Sequence, residues 1–411
     1  MNSTLIKIRR LMANQRTNTF FLMVIWVGTI AASILLSSTP FQGIHSDFKN
    51  GYYIGALNLH EHGSYTDSEG NLITHWPPGY SLYIAPFVTD DIEETFGRLK
   101  WLSVATLTAW VLVVYLLIRK ILCQFPPYIP LGLCVLWPPM IALGNPGYSY
   151  LLLALLVSSA FLLLGKLFEL KKMTVKSILL STVVGVLFGM AGLTKTIALP
   201  VTAISLVVVL LGMHDIRWLI RIAHVVLIAT AFFVTLLPWI TTYKQYTGHY
   251  GFTSAGSSSI WDGIHSFPDL TVVQCLSKHR LASSSESDVG DTTSEWMKCF
   301  KNYPLSTLTL LSTKAVRVWY GTNSGRYEKL LAAFNIPWLL LFVLSTFGIL
   351  WSIRETPATI ILLLSCVLVV WVTSIAVLSI FRYLTPFFPF VVIVVLWFFP
   401  RGLRMFKIRM V

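Results

Sequence analysis

Residues 20–36 read FFLMVIWVGTIAASILL, from Phe20 to Leu36, without a single charge. A helix of that length rises about 25 Å, close to the roughly 30 Å of hydrocarbon in a bilayer. Lys7, Arg9, Arg10 and Arg16 precede it. A basic start before an apolar run is also how a secretion signal begins. This run is long for that, and no small-residue cleavage site of the A-x-A kind follows Leu36. It reads as a retained first span.

Further blocks of the same kind fill the chain, near 99–118, 128–144, 149–166, 177–193, 197–213, 221–240, 331–350, 358–378 and 384–400. With the first they predict an all-α membrane protein, one polytopic domain over 1–411 with about ten transmembrane helices. The composition agrees: 55% hydrophobic and 12% charged residues, against about 25% charged in soluble domains. A net charge of +13 suggests nucleic acid in a soluble protein, but here the location of the charge decides otherwise. Alternating from an inside N-terminus, the inside segments hold 17 of the 31 Lys and Arg, and only Glu169, Asp215 and Glu355 among the acids. That is the positive-inside pattern of short cytoplasmic loops. Membrane lipid, not nucleic acid, is the expected surrounding.

Two external segments, 37–98 and 241–330, exceed what connection requires, and loops so long are usually functional. In the first, Phe48, Tyr52, Tyr53, Ala56, Leu57 and Leu59 recur at roughly helical spacing, as in a helix lying in the interface. Gly63 is expected to end it, with a turn over Asp67–Asn71. The acidic run Asp90, Asp91, Glu93 and Glu94 reads as a solvated helix start. In the second loop, 277–295 reads as a mobile polar stretch, and Leu305–Tyr320 returns to the membrane with Lys314 and Arg317 one turn apart. Cys275 and Cys299 share this loop, where an oxidising compartment would let them pair. Cys123, Cys134 and Cys366 read as small buried hydrophobes in or beside spans.

Ionisable groups near the membrane boundary are costly without a partner or a task. Asp47 lies about ten residues past the first span. A carboxylate there suits a general base, a ligand for a divalent cation against phosphate, or a helix N-cap. Lys195, between two apolar runs, and Arg382, opening the last span, both face outside. Each fits a lipid phosphate, and each also fits simple snorkelling to the interface. His75 beside Trp76 suits a metal, a sugar ring or plain packing, and Glu61 suits a second carboxylate or an exposed helix face.

The run Ala56–Tyr65 after Asp47, then Pro77-Pro78-Gly79-Tyr80, resembles the first loop of the dolichyl-phosphate-mannose-protein mannosyltransferase-like family, GT-C-type glycosyltransferases related to the aminoarabinose transferase of lipid A. Leu237-Pro238-Trp239-Ile240 with Tyr243, Gly256–Gly263 with Trp261, and Arg382-Tyr383-Leu384-Thr385-Pro386 resemble later motifs in the same order. The resemblance implies a GT-C-like fold, with juxtamembrane helices of the first loop packed on an outer cavity. It also implies a polyprenyl-phosphate sugar donor, inversion at the anomeric carbon, and Asp47 as base or metal-linked carboxylate. Lys195 and Arg382 would take the donor phosphate, and His75, Tyr80, Glu61, Tyr243 and Tyr383 the substrates. The acceptor is left as a glycan, lipid or protein on the non-cytoplasmic side. The chain departs from the pattern at Phe48, Ser149-Tyr150, Thr241-Thr242 and Trp76. The need for a divalent cation (Mg or Mn) is left open accordingly. The rival readings are a transporter or flippase of a lipid-linked or small anionic substrate, and a surface-glycan polymerase or ligase. Spans almost free of charge and two long external loops favour the enzyme.

Overall fold

The computed structural model describes residues 15–38, 47–137, 139–140, 143–170, 172–213, 216–282, 289–322, 325 and 327–409. Among them the chain is helical, apart from an isolated bridge between Thr66 and Leu72. After α1 (Gln15–Ser38), a π-helix (Phe48–Tyr53) runs into α2 (Ile54–His62). There follow α3 (Gly79–Ile84), α4 (Ile92–Ile121), α5 (Tyr128–Val135), α6 (Tyr150–Leu167), α7 (Val175–Thr194), α8 (Ala198–Gly212) and α9 (Trp218–Thr247). The remainder is α10 (Ala255–His265), α11 (Thr271–Ala282), α12 (Val289–Asn302), α13 (Pro304–Arg317), α14 (Glu328–Trp351), α15 (Ala358–Ala376), α16 (Phe381–Leu384) and α17 (Phe388–Arg409).

Eight helices among the described residues are long and apolar enough to cross a membrane, and the protein is a multi-pass membrane protein. Two of the ten expected spans fall short of that measure. α8 has 15 residues, about 22 Å of rise. In the 128–144 segment α5 ends at Val135 after eight residues, shortly before the sequence Pro138-Pro139, a pair that disfavours helical continuation. The apolar count saw both segments and missed the break.

The chain forms two compact units: residues 1–253, 340–369 and 385–411, and residues 254–339 with 370–384. In the first, α4 packs on α6, α6 on α7, and α7 most extensively on α9. The sequence explains that last contact. Ser177, Ser181, Gly185 and Gly189 are four residues apart, so α7 presents a stripe of small side chains. A Cβ on Gly185 would stand 2.4 Å from the Ile228 carbonyl oxygen, and one on Gly189 2.5 Å from Thr235 Cβ. Lipid gives helices no hydrophobic reason to associate, so close backbone approach supplies the contact. Ser181 Oγ and the buried His224 Nδ1, 2.9 Å apart, add a polar tie between the same helices.

Hydrogen bonds locate the two ends of this unit. At one end the Tyr52 hydroxyl lies 3.3 Å from Ser149 Oγ, and the Tyr80 hydroxyl donates to the Pro146 carbonyl. Gly79 sits there against the Leu193–Thr194 backbone, where a Cβ would be 2.5 Å from the Leu193 carbonyl carbon. At the other end Lys120 Nζ and Glu169 Oε1 pair at 2.7 Å. Cys134 and Cys366 are buried as expected, but Cys123 is exposed, because it lies past the last turn of α4.

The second unit is stapled by a disulfide between Cys275 and Cys299. Around it Ile264, Val272, Val273, Leu276 and Leu310 form a buried core. The polar stretch expected over 277–295 is helical up to Ala282 and again from Val289, since both flanking helices are anchored on that core. Residues 283–288 lie outside the described residues.

Candidate active site

The first long loop is built around glycines and aromatic rings. Gly51, in the π-helix, leaves room for Trp76, whose ring would be 2.4 Å from a Cβ there; Gly55 does the same for Tyr65. α2 ends on Gly63 at φ 67°, a left-handed turn that glycine adopts without strain. Asp67 Oδ1 accepts from the backbone N–H of Glu69 and Asn71, as the expected turn requires. Asp91 caps α4 by accepting from Glu93 N–H at 2.8 Å, so the acidic run is a helix start.

Asp47 is the residue ahead of the π-helix, and its side chain makes no capping hydrogen bond there. π-Helical turns are rare and gather at functional sites. This one carries Tyr52 and Tyr53. The Tyr53 hydroxyl donates to the Thr89 and Asp90 carbonyls, each at 2.8 Å. Burial, then the carboxylates of Asp90, Asp91 and Glu61, hold its pKa above the usual phenol range.

Lys195 follows the last turn of α7 in extended backbone. Its ammonium stands 5.4 Å from the centre of the Tyr52 ring and 5.2 Å from that of Tyr150. No carboxylate among the described residues pairs with it. Cation–π contacts of this kind hold an ammonium without neutralising it. An anion arriving at this place therefore meets a full positive charge in a half-buried setting. Tyr150, in the Ser149-Tyr150 pair where the chain departs from the resembled pattern, offers an aromatic face here.

The other expected residues divide. Tyr80 is buried edge-on against Tyr52, ring centres 5.1 Å apart, and belongs to the same aromatic wall as Lys195. His75 is exposed; its ring rests on Trp76, and its carbonyl accepts from Thr253 Oγ1. Tyr243 is buried with Tyr65, Ile73 and Trp239, away from solvent. Glu61 is exposed beside His62 at 3.6 Å. Arg382 and Tyr383, both partly buried, sit in α16 of the second unit. Among the described residues no three His, Cys, Asp or Glu side chains come together as metal ligands. Sequence reasoning missed Tyr52 and Tyr150 as a cradle for Lys195, because boundary tyrosines look alike whether they face lipid or a cation.

No family model and no curated protein sequence matches the chain. Solved structures do. The archaeal oligosaccharyltransferase AglB from Archaeoglobus fulgidus, in complex with an inhibitory peptide and a dolichol-phosphate, superposes with a TM-score of 0.56 at 14% identity, covering 92% of this chain and 50% of that one. The two share a fold. The same oligosaccharyltransferase tethered to an acceptor peptide containing the NVT sequon gives 0.53 at 14% identity, over 92% and 49% of the two chains. Its complex with Zn and sulfate gives 0.51 at 14% identity, over 91% and 48%. The chain thus spans about half the length of the solved structures it matches. At these identities the likeness is one of fold, and it agrees with the all-α, multi-span arrangement expected from the sequence.

Proposed function

We propose that the chain is an inverting glycosyltransferase that moves a sugar from a polyprenyl-phosphate donor to an acceptor on the non-cytoplasmic side. The observation that carries this reading is the Lys195 ammonium, held by two tyrosine rings and by no carboxylate among the described residues, beside the first-loop helices. A lipid-borne phosphate meets such a charge at headgroup depth. The leaving group of the reaction is that phosphate, and a fixed cation beside it stabilises the charge that develops as the glycosidic bond breaks. Arg382 is proposed for phosphate binding on its own chemistry, a planar fork that suits two oxygens. Asp47 takes the proton from the acceptor hydroxyl as that oxygen attacks the anomeric carbon from the opposite face, which inverts it. The aromatic wall with Tyr80, and His75 on Trp76, offer flat faces for sugar rings. That the AglB complexes hold a dolichol-phosphate in one case and an acceptor peptide in another supports a GT-C fold serving a lipid-borne and a second partner. A Mg or Mn ion would need two or more ligands beside Asp47. The described residues do not assemble such a set.

Donor binding tests the assignment directly. Native mass spectrometry of wild-type protein in nanodiscs containing a polyprenyl phosphate should show the lipid retained. Lys195→Gln should weaken retention about tenfold or more, the effect of losing one charged contact. Equal retention by the folded variant would leave Lys195 as a snorkelling residue and remove the carrying observation.

A further inference from the structure

The second unit carries a cationic cluster on α13, built from residues other than those assigned above. Lys314 and Arg317 lie one turn apart on α13. Lys314 is 2% exposed, and its Nζ donates to the Val377 carbonyl at 3.0 Å. An ammonium has three donors, and no carboxylate among the described residues pairs with this one. Arg317 Nη2 donates to the Thr322 carbonyl and to Glu328 Oε1, both at 3.0 Å. Its Nη1 is buried and has no hydrogen-bond partner among the described residues. The same is true of the hydroxyl of Ser379, whose residue is 0% exposed.

These groups share one place. Gly321 lies between them: a Cβ there would stand 2.6 Å from the Ser379 carbonyl oxygen and 2.7 Å from Arg317 Cγ. The Gly321 carbonyl in turn accepts from Phe381 N–H at 2.8 Å, tying the end of α13 to the 377–381 segment. Two cations therefore face one carboxylate in a buried setting, with idle donors from a guanidinium and a hydroxyl. Burial, and then the Arg317 charge, push the Lys314 ammonium down to about 8. Buried charge and idle donors of this kind cost several kcal/mol in all unless something answers them.

We infer that Arg317, Ser379 and Lys314 form a binding site for a phosphate-type oxyanion, either a lipid phosphate headgroup or free phosphate. A guanidinium fork, an O–H and an ammonium are the donor set that a tetrahedral oxyanion takes. The inference stands on these contacts alone and holds whether or not the chain transfers sugar.

The test uses the full chain in phosphatidylcholine nanodiscs, with thermal unfolding as readout. Inorganic phosphate is added to the buffer in one arm, and phosphatidic acid is included in the disc in the other. A saturable stabilisation is expected in at least one arm. The soluble arm identifies a free-ion site, and a response confined to the lipid arm identifies a headgroup site. Ser379→Ala and Arg317→Gln should each weaken the half-saturation point by about tenfold or more. Lys301→Gln, which removes an exposed base elsewhere in the same unit, should leave the response in place. If Arg317→Gln does not fold, Ser379→Ala decides, since it removes only a hydroxyl. No stabilisation in either arm overturns the proposal. So does a response unchanged by Ser379→Ala.

Discussion

Lys314 shows at the scale of one residue what burial does to a charge. Its pKa in the fold is about 8, below the ordinary 10.5, so the folded chain sheds this proton before the unfolded chain does. Stability therefore rises as pH climbs from about 8 towards 10.5 and is lower, by a constant amount, below that window. In phosphate-free buffer the melting temperature of wild-type protein should gain on that of Lys314→Met between pH 7.5 and pH 10. A parallel pH response in the two proteins would mean that Lys314 is not held in this way. Lys195 and Asp47 were legible in the sequence as single ionisable residues at the edges of apolar runs, where a charge is costly. Their surroundings were not. Tyr52 was visible as one apolar position of an interface helix, and Tyr150 only as a departure from a motif. Nothing in one dimension says that both rings would close on Lys195.

At the scale of elements, the spans were legible because an apolar run near 20 residues has few other readings. The ends of elements were less so. The break after α5 is written in Pro138-Pro139, yet an apolar count passes over it. The helicity of 271–282 and 289–302 was hidden because both segments are polar overall, and their order comes from the disulfide and the core on which α11 and α12 close. The pairing of α7 with α9 rests on glycine at close approach, and this gives a sharp contrast. Gly185→Leu places a side chain where the Ile228 backbone stands and should destabilise the protein by about 1–3 kcal/mol or more. It should appear as a lower melting temperature and early aggregation on size-exclusion chromatography. Val183→Leu, on a partly lipid-facing position of the same helix, should behave as wild type. Equal behaviour of the two variants would show that the stripe does not hold the helices.

At the scale of the whole molecule, the positive-inside count and the bonds of the first unit give one alternation. The first long loop, residues 146–149 and the end of α7 share one end, and the Lys120–Glu169 pair marks the other. An engineered cysteine at Lys172 should resist an impermeant maleimide applied to intact cells and react after permeabilisation, whereas one at Ser68 should react at once. The opposite pattern would invert the orientation and put the Lys195 site on the cytoplasmic face. What the molecule does with that site is decided most directly by turnover. Polyprenyl phosphate is the product common to every acceptor, so its release from polyprenyl-phosphate-linked sugars should be measured by mass spectrometry, with wild-type and Asp47→Asn protein in liposomes beside a membrane extract that supplies acceptor. Wild-type protein should release it, and Asp47→Asn should release roughly 10²–10⁴-fold less while still retaining the lipid in native mass spectrometry. Undiminished release by a folded Asp47→Asn protein, or no release by wild-type protein from any hexose or pentose donor, would contradict the account.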